Sequence, residues 1–97
     1  MQLIHGVAVE PSNPYSNQDI TINYDGLLQK SGADQIYLHY GVDGWESPAT
    51  VPMMRSQRGC FHTMIKASAR HEVNFCFHDS AMNWDNNSGL DWTIRVF

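Results

Sequence analysis

Apolar residues in this chain recur at every second position, in short runs broken by turn residues, and that period fits strands rather than helices. Asp19–Tyr24 places Ile20, Ile22 and Tyr24 on one face and Thr21 and Asn23 on the other. In Gln35–Gly41, Ile36, Leu38 and Tyr40 face one way, Tyr37 and His39 the opposite way. The same alternation puts Phe61, Thr63 and Ile65 in phase, then Val73, Phe75 and Phe77, and finally Trp92, Ile94 and Val96. Leu3–Val9 is apolar and β-branched, and the segment from Pro11 to Pro14 closes it. Thr50–Arg55 is a weaker strand, which Pro48 and Pro52 assign to an edge because proline cannot donate to a ladder. No segment has a convincing helical period. About seven short strands at near-regular spacing predict an all-β fold, an antiparallel β-sandwich. Trp92 and Tyr24 then fall in the core by alternation.

Length and charge narrow the function. With 97 residues the chain supports a single domain, residues 1–97, holding one core. No repeat or linker interrupts it. The formal charge is −4. The six cations (Lys30, Arg55, Arg58, Lys66, Arg70 and Arg95) form no run. Binding to nucleic acid or to an anionic membrane surface needs a basic patch, so neither partner is expected. No apolar stretch approaches the roughly 18–20 residues of a membrane span. The opening Met-Gln-Leu-Ile-His-Gly lacks the basic and long apolar regions of a signal peptide. The expectation is a small soluble domain, monomeric.

Two long polar connections, Val42–Ala49 and Asp79–Gly89, each carry a tryptophan. Loops held by a rigid sandwich are where binding residues concentrate. In 37–45, Tyr37 and His39 point away from the core face, and Gly41 and Gly44 bend the chain to present Trp45. In 78–89, Trp84 sits among Asn83, Asp85, Asn86 and Asn87 with no apolar period to bury it. A large aromatic in a polar loop is either a loop anchor or a contact surface. Two of them, each flanked by hydrogen-bonding groups that suit a sugar, favour contact. A pyranose ring has apolar C–H faces that suit an indole face. Its equatorial hydroxyls need groups that both donate and accept.

At these residues the chain resembles a known family. Ile-Tyr-Leu-His-Tyr-Gly-Val-Asp-Gly-Trp (36–45) and Val-Asn-Phe-Cys-Phe-His-Asp-Ser-Ala-Met-Asn-Trp-Asp-Asn-Asn (73–87) resemble the starch-binding carbohydrate-binding modules of family 25. They are also similar to the related families 26 and 53. The resemblance covers nearly the whole chain and implies an immunoglobulin/fibronectin-like sandwich without catalytic activity. It also implies α-1,4-glucan ligands (starch, glycogen or malto-oligosaccharides) and a sugar platform of His39, Trp45 and Trp84. Asn86, Asn87 and Tyr37 are expected to read hydroxyl groups around it. Such modules are mostly appended to amylases or related enzymes, so a glucan-active enzyme is the expected protein partner. The expected location is cytoplasmic if Met1 is the native start, and extracellular if the module belongs to a secreted enzyme.

Other functions fit less well. His39, His62 and His78 with Asp79 invite a metal reading, but no tight His-x-x-x-His pair or thiolate cluster supports it. Asp85-Asn86-Asn87-Ser88-Gly89 lacks the spaced acids and terminal glutamate of a calcium loop. No metal or cofactor is therefore expected. Cys60 and His62 share a strand face, as a nucleophile and base would, yet a thiol and an imidazole side by side on a sheet are the simpler reading. A hydrolase needs two carboxylates facing each other across a cleft, and a domain this small offers little depth. The alternative to sugar binding is a protein-interaction or accessory domain of a carbohydrate-active enzyme, whose mark would be an exposed apolar patch.

The two cysteines leave a bridge or two thiols open. If Cys60–Lys66 and His71–His78 form a hairpin through Ala67–Arg70, aligning Phe61 with Phe75 sets Cys60 opposite Cys76 and His62 opposite Asn74. Without an export signal, two free thiols are expected.

Overall fold

The computed structural model describes residues 1–56 and 59–97; Arg58, one of the six scattered cations, lies outside them. The strands are β1 (Gln2–Leu3), β2 (Val7–Glu10), β3 (Asp19–Tyr24), β4 (Ile36–Val42) and β5 (Glu46–Pro52). They continue with β6 (Met54–Arg55), β7 (Phe61–Lys66), β8 (Glu72–Asp79), β9 (Trp84–Asp85) and β10 (Trp92–Arg95). A four-residue helix, α1 (Leu27–Lys30), joins β3 to β4. One antiparallel sheet runs β1-β2-β3-β7-β6; the other runs β10-β8-β4-β5, with β9 added on β8.

The all-β sandwich read from the alternation is the fold observed. Val7, Val9, Ile20, Ile22, Tyr24, Phe61 and Ile65 face inward from the first sheet. Ile36, Leu38, Val73, Phe75, Phe77, Trp92 and Ile94 meet them from the second. Each side chain withdrawn from water in this way contributes about 1.5–3 kcal/mol. Tyr24 and Phe77 approach to 4.1 Å between ring centres, and Trp92 packs edge-on to Phe77 at 5.3 Å. Trp92 is 3% exposed, as its phase required.

Three local readings are corrected. Leu3–Val9 is two strands rather than one. His5 and Gly6 adopt positive φ of 61° and 83° and fold the run back, so that Leu3 pairs with Val7. The weak strand at 50–55 is divided: Pro48 and Pro52 lie on β5 at the edge of the second sheet, and after the buried Met53 the chain continues as β6 at the edge of the first. The third correction concerns 67–70, read as a hairpin turn. β7 pairs with β3 and β6, whereas β8 pairs with β4 and β10, so the chain crosses between sheets there. Ala67 and Ala69 are buried at the crossing. Asn17 N–H donates to the Ala67 carbonyl, and Ser16 Oγ donates to that of Ala69. Both strands have an apolar face of the same period, and alternation selects a face without selecting a neighbour. Cys60, just before β7, and Cys76, on β8, are therefore not cross-strand neighbours, and both are free thiols.

The two sheets differ in what covers their outer faces. On β8 the inward Val73, Phe75 and Phe77 are buried, but so are the outward Asn74, Cys76 and His78, at 5, 5 and 7% exposure. Loops fold back over the outside of the second sheet. That is where the two tryptophans converge.

Candidate functional site

His39 leaves the outer side of β4, between Thr50 on β5 and Cys76 on β8. Its Nδ1 is 2.8 Å from Thr50 Oγ1, which fixes the ring's rotation and leaves Nε2 for a ligand. Trp45 stacks on the imidazole at 5.5 Å and 23°, while Trp84 meets it edge-on at 5.6 Å and 83°. His78 extends the row: it lies 4.6 Å from the Trp84 ring and stacks on Tyr37 at 5.1 Å. Five rings from β4, β8, β9 and the loop before β5 thus form one band, Trp45–His39–Trp84–His78–Tyr37. The two indoles are steeply inclined to one another because one is stacked on the shared imidazole and the other is perpendicular to it.

Trp45 reaches this place through a strained backbone. Its φ of 69° is one that bulky residues seldom adopt, and such conformations cost about 1–3 kcal/mol and persist only where the surroundings impose them. Asn74, buried beneath the loop, imposes it: its Oδ1 accepts the N–H groups of both Gly44 and Trp45 at 3.0 Å. Its Nδ2 donates to Thr93 Oγ1 and Glu72. Gly44, with φ of 87°, makes the turn. Gly41 serves a different purpose. A Cβ there would sit 2.8 Å from the Trp45 Cα, so the missing side chain lets the loop lie on the strand. Asp43 then ties the loop to the start of β8, accepting N–H bonds from Arg70, His71 and Glu72. These N–H donors, with the Arg70 guanidinium, hold its carboxyl below the usual carboxylate range.

Trp84 sits on β9, which pairs His78 with Trp84 and Phe77 with Asp85. Strand alternation sends Trp84 outward, 45% exposed, and Asp85 inward, 8% exposed. Asp85 Oδ2 accepts the Tyr24 hydroxyl at 2.6 Å, and the Tyr24 hydroxyl oxygen in turn accepts the Leu28 N–H at 3.0 Å. Burial and the Asp85 bond push the Tyr24 hydroxyl's pKa upward. Asp79 shapes the turn before β9. Its carboxylate accepts the Asn83 side-chain amide and the N–H groups of Asn83 and Ala81. These bonds lower its pKa.

The structure therefore unites Tyr37, His39, Trp45 and Trp84 in one band. Asn86 and Asn87 stand past Trp84 in the following turn. Asn86 is exposed, with Oδ1 accepting the Gly89 N–H; Asn87 is 8% exposed, with Nδ2 donating to the Asp91 carbonyl. His78, Thr50 and Asn74 are components that the sequence reading did not assign to the site. From sequence His78 reads only as a candidate metal ligand, and the pairing that brings in Thr50 and Asn74 leaves no mark in local sequence. His62 lies on β7 in the first sheet, apart from His39 and His78 on the second. Among the described residues, no three His, Cys, Asp or Glu side chains converge as a metal site.

A sandwich that displays an aromatic band on one sheet defines a ligand-binding module. Residues 20–92 match the model of the starch/carbohydrate-binding module family 53, and the chain belongs to that family. Family 53 is one of the two relatives of family 25 named from the motifs. The chain's function is accordingly carbohydrate binding of the starch type. The chain is also 33% identical over 92 residues, 94% of its length, to an alpha-amylase of Clostridium acetobutylicum. It spans only 12% of that relative's length. No solved structure matches it.

Proposed function

We propose that the module binds α-1,4-glucan chains without cleaving them, on the band formed by Trp45, His39 and Trp84. The observation that carries this reading is the inclination of the two indoles about one imidazole. A flat polymer would lie on coplanar rings, whereas a chain that turns from unit to unit presents successive sugar faces at an angle. Trp45 and Trp84 stack against successive pyranose faces, and His39 Nε2 bonds a hydroxyl between them. Tyr37 and Asn86 contact hydroxyls at the far end, the platform that the family 25 resemblance implies. The module acts as a monomer attached to, or delivered with, a glucan-active enzyme, as the far greater length of the amylase relative supports.

Affinity electrophoresis in gels containing amylose, glycogen, cellulose or xylan tests the reading. Retardation in the first two alone is expected. Equal retardation in cellulose, or none in any gel, overturns it. Incubation with starch is expected to release no reducing sugar.

A further inference from the structure

Two depressions flank α1, and Leu27 lines both. One, of about 390 Å³, includes Trp84, Asn83 and Ser31 and so opens directly off the aromatic band. The other, of about 350 Å³, lies past Leu27 and is lined by Asp85, Asn87, Ser88, Lys30 and His5. Leu27 itself is 62% exposed, whereas its neighbour Leu28 is buried. The core makes little use of this leucine, which stands as an apolar ridge between the two depressions.

The second depression has buried polar groups in its floor. Asp85 and Asn87 are both more than nine-tenths buried. The Tyr24 hydroxyl holds one Asp85 oxygen, and the Asp91 carbonyl holds the Asn87 amide. The other Asp85 oxygen, Oδ1, receives only the Asn87 N–H at 3.4 Å, so it retains capacity to accept hydroxyl protons. Ser88, Lys30 and His5 add groups that can donate to hydroxyl oxygens, and Leu27 supplies an apolar wall. Asp85 disfavours an anion here and Lys30 disfavours a bare cation. A neutral polyhydroxylated ring satisfies both. The volume falls in the range of about 300–1,000 Å³ typical of small-ligand sites.

We infer that a glucan chain leaving Trp84 passes over Leu27 and seats a further glucosyl unit between Asp85, Asn87 and Lys30, beyond the aromatic platform. This inference rests on the platform reading proposed above. It also gives Asn87, which the platform does not reach, a ligand of its own.

Calorimetric titration with maltotriose and with maltodecaose, on the unmodified module and on Leu27→Gln and Lys30→Ala, tests it. Both side chains are exposed, so the fold is expected to be retained, and circular dichroism checks this. Maltotriose should bind all three proteins alike. Maltodecaose should bind the unmodified module about tenfold more tightly than maltotriose, a difference of about 1.4 kcal/mol. Each variant should lose most of that gain. In heteronuclear NMR spectra of the unmodified protein, the Asn87 and Ser88 amides should shift with the longer sugar only. A gain that persists in both variants, or Asn87 and Ser88 amides that ignore maltodecaose, overturns the pocket while leaving the platform standing. Failure of both sugars to bind the unmodified module removes the platform and the pocket together.

Discussion

The loops carrying Trp45 and Trp84 meet at one imidazole, yet they are held in opposite ways. Asp43 and Asp79 each gather three hydrogen bonds, but the donors to Asp43 come from residues 70–72, while those to Asp79 come from Ala81 and Asn83 nearby. The Trp45 loop is thus pinned to a distant segment, strained at Trp45 and supported from below by Asn74. The Trp84 turn closes on itself and then joins β8 as a two-residue strand. Trp45 is half-buried before any ligand arrives, and Trp84 leaves nearly half its surface in water. One indole is a fixed wall built into the fold. The other is an exposed anchor with more to gain from contact.

The largest expected effect follows from that exposed anchor. Trp84→Ala should weaken glucan binding by about 1–3 kcal/mol, as truncation of a stacked aromatic contact does. Thermal stability should change little, because the ring contributes little to the core. A calorimetric titration unaltered by the substitution, in a folded protein, would remove Trp84 from the site. Asn74→Leu should act on the other loop by a different route. Leaving the Gly44 and Trp45 N–H groups without their acceptor should cost about 1–3 kcal/mol of folding stability. Binding should weaken as well, and the near-ultraviolet dichroism of the Trp45 environment should collapse. If Asn74→Leu altered affinity with no stability loss, the contrast between pinned and self-closed loops would fail.

Thr50→Val tests the support of His39 more gently. Losing the hydroxyl that orients the imidazole should cost about 0.5–1.5 kcal/mol of binding. Melting temperature should hold, since Thr50 lies exposed on an edge strand. Acid probes both loops at once. The Asp43 and Asp79 carboxyls ionise more readily in the folded protein than in the unfolded chain, whose aspartates titrate near about 3.9. Their contribution to stability is complete above that value and is lost as pH falls through the lower folded values. Denaturant midpoints should therefore be flat from neutrality to about pH 5 and decline below about pH 4. Asp43→Asn and Asp79→Asn should each flatten part of that decline. The smallest effect is in thiol chemistry. Burial pushes the Cys76 thiol up to about 12, so in the native state Cys60 should label first. Cys76 should react only on unfolding, for a total of two thiols. Fast labelling of Cys76 at neutral pH would show that the loops over β8 open readily.

Much of this molecule is legible in its alternation. Ile20, Ile22 and Tyr24, or Trp92, Ile94 and Val96, could be assigned inward without coordinates, because a strand has only two faces. Trp45 and Trp84 stood out as ring systems in polar loops. Pairing was not legible in the same way. Phe61 and Phe75 align equally well as a hairpin or across separate sheets, and what separates the two is the burial of Ala67 and Ala69 at the crossing, which a reading of 67–70 as a turn does not register. Asp85 and Asn87 show the same limit at the site. Their composition matched a sugar-binding turn, but the two-residue pairing of β9 with β8 turned Asp85 inward, and Asn87 is buried in the turn that follows.

The one-dimensional pattern by itself determined the class of fold, the inward faces of its strands and the residue types able to meet a sugar. These depend on local period and side-chain chemistry, which the chain carries at every position. Tertiary structure alone decided which strands became neighbours and how steeply the two indoles meet. It also decided that loops cover the outer face of β8 and that Asn74 lies under Trp45 to hold its backbone. Each of those outcomes depends on contacts between segments far apart in the chain, where many pairings satisfy the same alternation and only the packed whole selects one.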